Sequence, residues 1–444
     1  MVLQMKSSLR DNFCSSPWFH LKINPVGNYI SCRWDMPGTI SEYNISNTSL
    51  REYINVDIMR SLRLQLLNGE SPDICKSCRY EDKFDKVSGR QRQLLKSGIQ
   101  VDNFEKTLCS SPHWTNFEYS LTNQGFTENN PVDLQIDLGN TCNSGCIMCC
   151  PTYSSKLALE FKNLHKISPD IFPVYPEIKN WTDNLTLIEK FIDELKHIPT
   201  SYIHFLGGET LYLKSFYNIC NELISNGSAK TISMGTTTNC TVHTPELEKI
   251  IKGFKNVHLG LSVEALNPVN DYIRWPSKIN DIKNNLKKFI KLRETTGLHL
   301  SLRITPTIFS IYHIDTLFEF MLENNIIAES CNILQDPSYL RIELLPKNLI
   351  KDILAKIEKI ISKYNITNFK TKTINRRNDN NKKYVIQEII FEYKRLLENM
   401  QYPADRDQEL IKLVRALKTF EQSRNNSILN YLPEYEEFLR SYGY

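Results

Sequence analysis

No stretch of the 444-residue chain approaches the roughly 18 uninterrupted apolar residues of a membrane-spanning helix, and the opening residues hold no apolar core of signal-peptide length. Charge of one sign is also lacking. The 54 Lys+Arg against 50 Asp+Glu leave a net charge of +4, with both signs spread along the chain, too mild to argue for nucleic acid or a membrane surface. The expectation is a soluble, cytoplasmic protein whose 41% hydrophobic content allows a sizeable core over two or three domains. Cysteine is not lacking: there are 12, grouped in clusters along a long chain with no export signal, a pattern that metal ligation explains better than disulfides.

Cys142, Cys146 and Cys149 are spaced C-x3-C-x2-C directly after the apolar-alternating run 132–138, which reads as a strand. Three thiolates on one tight loop can hold three irons of a cubane 4Fe-4S cluster and leave the fourth iron open. A zinc knuckle completed by a distant His or Cys is the plainer alternative. Cys150 should face away from the side that Cys149 presents, because adjacent residues of an extended segment point in opposite directions. With Gly139-Asn140 before it and Pro151, Ser154 and Ser155 after it, the loop resembles that of the radical S-adenosylmethionine (radical SAM) superfamily. The resemblance implies a cluster whose open iron binds S-adenosylmethionine, and an electron donor such as flavodoxin or ferredoxin.

A second group lies near the start. Cys14, twelve residues, Gly27, four residues and Cys32 are followed after a gap by Cys75-x2-Cys78. Residues 18–24 and 28–32 flank Pro25-Val26-Gly27 as a β-hairpin with its turn at Gly27, which would bring Cys14 and Cys32 together. Residues 50–67 have helical spacing and stop at Asn68-Gly69. A four-cysteine zinc ribbon satisfies these spacings. They also resemble the twitch form of the SPASM module, which implies a second, auxiliary 4Fe-4S cluster held by Cys14, Cys32, Cys75 and Cys78. Two features depart from that family: the run C-x5-C-x3-C is missing, and the module precedes the barrel. The basic run 79–96 (Arg79, Lys83, Lys86, Arg90, Arg92, Lys96) reads as a solvated helix, with a substrate-docking face as the sharper reading.

From residue 130 to 345, strand-like runs (132–138, 202–206, 231–236, 257–263, 299–304, 328–333) alternate with helix-like ones, which predicts an α/β fold of parallel units. Six such units fit the partial (β/α)6 TIM-like barrel of the radical SAM family, whose site lies at the strands' carboxyl ends. Gly207-Gly208-Glu209-Thr210 follows the second strand and resembles the family's G-G-E-P motif, with Thr210 in place of proline. That resemblance implies that Glu209 takes the amino group of S-adenosylmethionine. Thr238, Asn239, Ser262 and Glu264 end the next two strands and are candidates for ribose hydroxyls and a carboxylate. Arg274, in a Tyr-x-Arg-x-Pro stretch, and Arg303 are candidates to grip a carboxylate, against a surface salt bridge as the plain reading. Residues 346–444 show helical periodicity at 350–364, 385–399, 408–421 and 428–442, interrupted by a polar, basic loop at 375–383. They read as a helical cover of the substrate side, with no residue needed for cleavage chemistry.

The sequence therefore divides into 1–107 (auxiliary module), 130–345 (barrel) and 346–444 (helical segment). The resemblance implies an enzyme that cleaves S-adenosylmethionine to a 5'-deoxyadenosyl radical. Its substrate would be a peptide or protein side chain, with a small molecule second. A nucleic-acid-associated zinc protein is the competing class, and a radical SAM enzyme acting on RNA the third, although no recognised RNA-binding module is present.

Overall fold

The computed structural model describes residues 7–32, 42–82, 88–329, 331–367 and 382–444. Its frame is one eight-stranded sheet in the order β2-β1-β3-β4-β5-β6-β7-β8. The strands are β1 His20–Ile23, β2 Tyr29–Ile30, β3 Asp133–Asp137, β4 Tyr202–Leu206, β5 Ser233–Thr238, β6 Asn256–Leu261, β7 His299–Leu302 and β8 Ile327–Ala328. Neighbours from β1 to β8 pair in parallel, while β1 and β2 form the antiparallel hairpin turned at Gly27, where φ is +89°. The result is the expected α/β fold with a helical carboxyl-terminal region.

Alternation along each strand separates two faces. Leu134 and Ile136, Ile203 and Phe205, Val257, Leu259 and Leu261 supply buried apolar side chains on one of them. The helices that follow the strands are amphipathic and bury matching stripes, such as Ile188, Phe191, Ile192 and Leu195 of Leu185–Lys196. The opposite face carries Lys22, Asp133, Gln135, Asp137, His204 and His258, all buried. A parallel sheet covered only by helices would be apolar on both faces. The polar set therefore marks an interior built for something other than packing.

The hairpin holds a surprise. Its first strand pairs in register with the first barrel strand, Lys22 against Gln135 and Ile23 against Ile136, so the amino-terminal residues extend the barrel sheet. A smaller core nearby (Phe13, Trp18, Leu62, Leu66, Leu94, Phe104, Phe117) holds the surrounding helices and reaches beyond residue 107. Residues 50–67 are two helices, Leu50–Tyr53 and Asp57–Leu67. The basic run forms Lys76–Asp82 and Gly89–Lys96, with Lys83 and Lys86 outside the described residues. Arg90 departs from a solvated face: it is buried against Asp82 at 3.0 Å and donates to the carbonyl of Arg10. The last barrel strand shrinks to two residues, and 428–442 contains two short turns and the helix Glu436–Arg440 where one long helix was expected. Of the 375–383 loop, residues 375–381 lie outside the described residues.

Asp137 yields a stability prediction. Its side chain is buried on the polar face of the sheet, near Lys22 and Gln135. Burial pushes its pKa from 3.8 up to about 6, with Lys22 and Gln135 opposing the rise. Between those values the folded state holds the proton that the unfolded chain releases, so stability falls as pH rises from about 4 to about 6. Asp137→Asn should remove that slope and stabilise the protein by about 1–3 kcal/mol at pH 7. Thermal unfolding of both proteins across pH 4–8 checks it.

Candidate functional site

The cysteine loop leaves the carboxyl end of β3 and is held from several sides. Ser155 Oγ accepts from the Cys142 N–H at 3.2 Å, and Ser154 Oγ donates to the Ser144 carbonyl at 2.7 Å while capping the helix Ser155–Leu164. From the end of β5, Asn239 Nδ2 donates to Asn143 Oδ1 at 2.9 Å and Ser144 Oγ at 3.0 Å. From the segment after β6, the carbonyls of Trp275 and Ile273 accept from the N–H groups of Gly145 and Ile147 at 2.7 and 3.0 Å.

These contacts present three sheltered thiols. Burial pushes Cys142 up to about 12, with the Ser144 N–H opposing and Cys146 and Glu209 adding to the rise. Cys149 is raised by burial and then by Cys146 and Cys142, so the thiols sense one another. Cys146 is raised by burial but drawn back by Arg274 and Arg424. Among the described residues, no three His, Cys, Asp or Glu side chains converge on one metal ion. A cubane asks for a wider set, since each cysteine binds its own iron.

Gly207 and Gly208 lie across from the start of this loop. Their φ values of +107° and +42° suit glycine, and a Cβ on either would sit 2.3 Å from the Gly139 carbonyl oxygen or 1.9 Å from that of Thr141. The close approach lets the Glu209 N–H donate to the Thr141 carbonyl at 3.1 Å. The Glu209 carboxylate is buried and accepts from Thr238 Oγ1 at 2.6 Å, the Asn239 N–H at 2.6 Å and the Leu211 N–H at 3.2 Å. Burial pushes it up to about 6 against those donors. A carboxylate offers about four acceptor sites. Three are used here, and one remains for an ammonium group.

The two arginines have internal partners. Arg274 Nη2 meets Glu264 Oε1 at 2.6 Å, and Glu264 Oε2 also accepts from the Thr305 N–H at 3.0 Å. Arg274 Nη1 lies 3.7 Å from Cys146 Sγ. Arg303 pairs with Glu329 at 2.8 Å, and His258 and Ser301 converge on the same carboxylate. Neither pair is the surface salt bridge of the plain reading: Arg274 and Glu264 are 11% and 1% exposed, and Arg303, itself 27% exposed, meets a carboxylate that is 10% exposed. Ser262 donates its backbone N–H to Thr238 and is half-buried.

The amino-terminal cysteines also gather. Cys14 is raised by burial, opposed by the Ser16 N–H, and raised further by Cys32, Cys78 and Cys75. Cys78 is pushed up to about 12 by burial and then by Cys32, and Cys75 to about 11 by burial and then by Cys78. Arg79 and Arg90 draw Cys75 the other way.

Sequence reasoning missed Arg424. It ends the helix Arg406–Arg424, in the segment expected to cover the substrate side and to supply no residue for the cleavage chemistry. Its Nη2 donates to the Gly145 carbonyl at 2.7 Å, and Nε and Nη2 meet the Glu160 carboxylate at 2.8 Å each. An arginine near a helix end is ordinary, and no local signal joins it to a loop 279 residues earlier.

Comparison with known proteins adds the following. No curated protein matches the chain. The Streptococcus suis protein SuiB bound to S-adenosylmethionine is similar over 71% of this chain and 61% of its own, at 18% identity and a TM-score of 0.33. SuiB bound to the precursor peptide SuiA is similar over 80% and 70%, at 15% identity and 0.36. The protein anSMEcpe with bound AdoMet is similar over 52% and 61%, at 15% identity and 0.37. Two of these three comparisons thus span about three-fifths of the solved chain. Residues 136–305 match the family model described as Radical SAM superfamily, a stretch that begins in β3, holds the cysteine loop and runs past β7, so this part of the chain is a radical SAM domain.

Proposed function

We propose that the chain is a radical SAM enzyme in which Cys142, Cys146 and Cys149 hold a 4Fe-4S cluster. The observation that carries this reading is the meeting of three mutually sensing thiols with a carboxylate that keeps one acceptor site open, at one end of a parallel sheet. The surroundings suit an anionic group: Arg274 Nε and Arg424 Nη1 are buried without an acceptor, and both side chains act on Cys146. When bound, the cluster and S-adenosylmethionine supply a 5'-deoxyadenosyl radical that abstracts a hydrogen atom from the substrate.

The chain's own residues bind and orient. Glu209 offers its open acceptor site to the amino group of S-adenosylmethionine, while Thr238 and the Asn239 N–H fix the carboxylate's direction. Asn239 ties that anchor to the cysteine loop through Asn143 and Ser144, so the cofactor's two attachment points move together. Burial of Cys146, Glu209 and Glu264 keeps water from the loop. Cys14, Cys32, Cys75 and Cys78 would hold a fully ligated auxiliary cluster, able to pass an electron and unable to bind substrate directly. The proposed substrate is a peptide or protein side chain, as the precursor peptide bound to SuiB illustrates for that protein; a small molecule is second.

Anaerobic reconstitution tests the assignment. About eight irons per chain are expected, falling to about four in the Cys142→Ala, Cys146→Ala, Cys149→Ala triple variant with loss of 5'-deoxyadenosine release. A variant that keeps all its iron, or a native protein that holds only zinc, would defeat the reading.

A further inference from the structure

Arg424 seats the carboxyl-terminal helix Arg406–Arg424 on the cysteine loop. The side chain is 2% exposed and Glu160 opposite it 8%, and the pair closes with two 2.8 Å bonds. The guanidinium lies 5.1 Å from the Trp275 ring centroid and 4.5 Å from that of Phe420. Trp275 is the residue whose carbonyl receives the Gly145 N–H, so Gly145 is gripped at its N–H by Trp275 and at its carbonyl by Arg424. A Cβ at Gly145 would come 3.2 Å from Glu160 and 3.5 Å from Arg424, leaving the loop little room to shift. One donor, Nη1, is buried with no acceptor, as is Nε of Arg274 on the other side of the Arg274–Cys146 contact.

We propose that Arg424 is a positioning residue that locks the cysteine loop from the carboxyl-terminal segment and, together with Arg274, raises the reduction potential of the cluster that loop holds. Fixed positive charge and hydrogen bonds toward sulfur favour the reduced, more negative cluster. Glu160 offsets part of the charge, so removing Glu160 and removing Arg424 must act in opposite directions. The role rests on Cys142, Cys146 and Cys149 being cluster ligands.

The test uses the full chain, reconstituted anaerobically, as wild type and as Arg424→Met, Arg424→Lys and Glu160→Gln. The potential of the cluster whose EPR signal changes on adding S-adenosylmethionine is measured by mediated titration, and hydrogen exchange at the Gly145 and Ile147 amides is followed in the iron-free proteins. Arg424→Met should shift the one-electron equilibrium about tenfold against reduction, about 59 mV. Glu160→Gln should shift it the other way. Arg424→Lys keeps the charge and loses the fork, so its potential should stay near wild type while the loop amides exchange faster. Should Arg424→Met not hold iron, Glu160→Gln against Arg424→Lys still decides the sign. Unshifted potentials in Glu160→Gln and in any iron-holding Arg424→Met variant, or unchanged exchange in both Arg424 variants, overturn the proposal. A wild-type protein with no S-adenosylmethionine-responsive signal fails the cluster reading itself, a result distinct from either.

Discussion

Glu209→Gln should weaken S-adenosylmethionine binding by roughly 30-fold to several thousand-fold, the range set by about 2–5 kcal/mol for truncating one side of a buried charge pair. The carboxylate sits at the centre of three donors, Thr238 Oγ1 and the N–H groups of Asn239 and Leu211. An amide in its place turns an N–H toward one of those donors. Glu209→Ala is expected to go further, stranding all three donors at about 1–3 kcal/mol each and destabilising the fold by about 3–5 kcal/mol after relaxation. Equilibrium binding to reconstituted protein, paired with urea unfolding of the same samples, separates the two effects. Unchanged affinity in a folded Glu209→Gln protein would leave Glu209 as only the tie between β4 and β5.

The second large effect belongs to Arg274. Its side chain and that of Glu264 are 11% and 1% exposed, and they meet at 2.6 Å. Burial lifts the Glu264 pKa, and Arg274, with the Thr305 N–H behind it, opposes the rise. Arg274→Met leaves that carboxylate buried with the Thr305 N–H still donating to it and no counter-charge, and should cost about 3–5 kcal/mol. Adding Glu264→Gln should recover much of the loss, because the stranded charge is the larger part of the cost. A double-mutant cycle by urea unfolding measures this coupling. An equal cost for Arg274→Met with and without Glu264→Gln would show that the pair contributes nothing beyond its packing. The cycle also reports on the loop, since Arg274 reaches Cys146 Sγ at 3.7 Å.

What could be read from the sequence was local. The span of β4 matched its apolar run, and Gly207-Gly208-Glu209 falls beside the cysteine loop because two positive-φ glycines permit the approach. Where the readings missed, the cause was distant. Strand β5 lies two residues later than its apolar run suggested, because Thr231 and Ile232 close the turn after Ser228–Lys230 and the pairing with β6 carries the strand through Thr238. Arg90 looked solvated until Asp82 and the Arg10 carbonyl closed around it. Arg274 and Arg303 read as grips for a carboxylate or as surface salt bridges, and only the fold supplies their partners, Glu264 and Glu329. Arg424 had no signal at all, since its partners precede it by more than two hundred residues.

The parallel pairing of β1 with β3 also shapes how the protein is made. His20–Ile23 leaves the ribosome more than a hundred residues before Asp133–Asp137, the strand it must lie against. At roughly 5–20 residues per second, that is a delay of about 5–20 s, during which the hairpin has an unpaired edge and Cys14 and Cys32 lack their finished shelter. Pairing of the amino-terminal hairpin therefore waits on synthesis of the first barrel strand, and the cysteine loop, held by Asn239, Trp275 and Arg424, waits longer still.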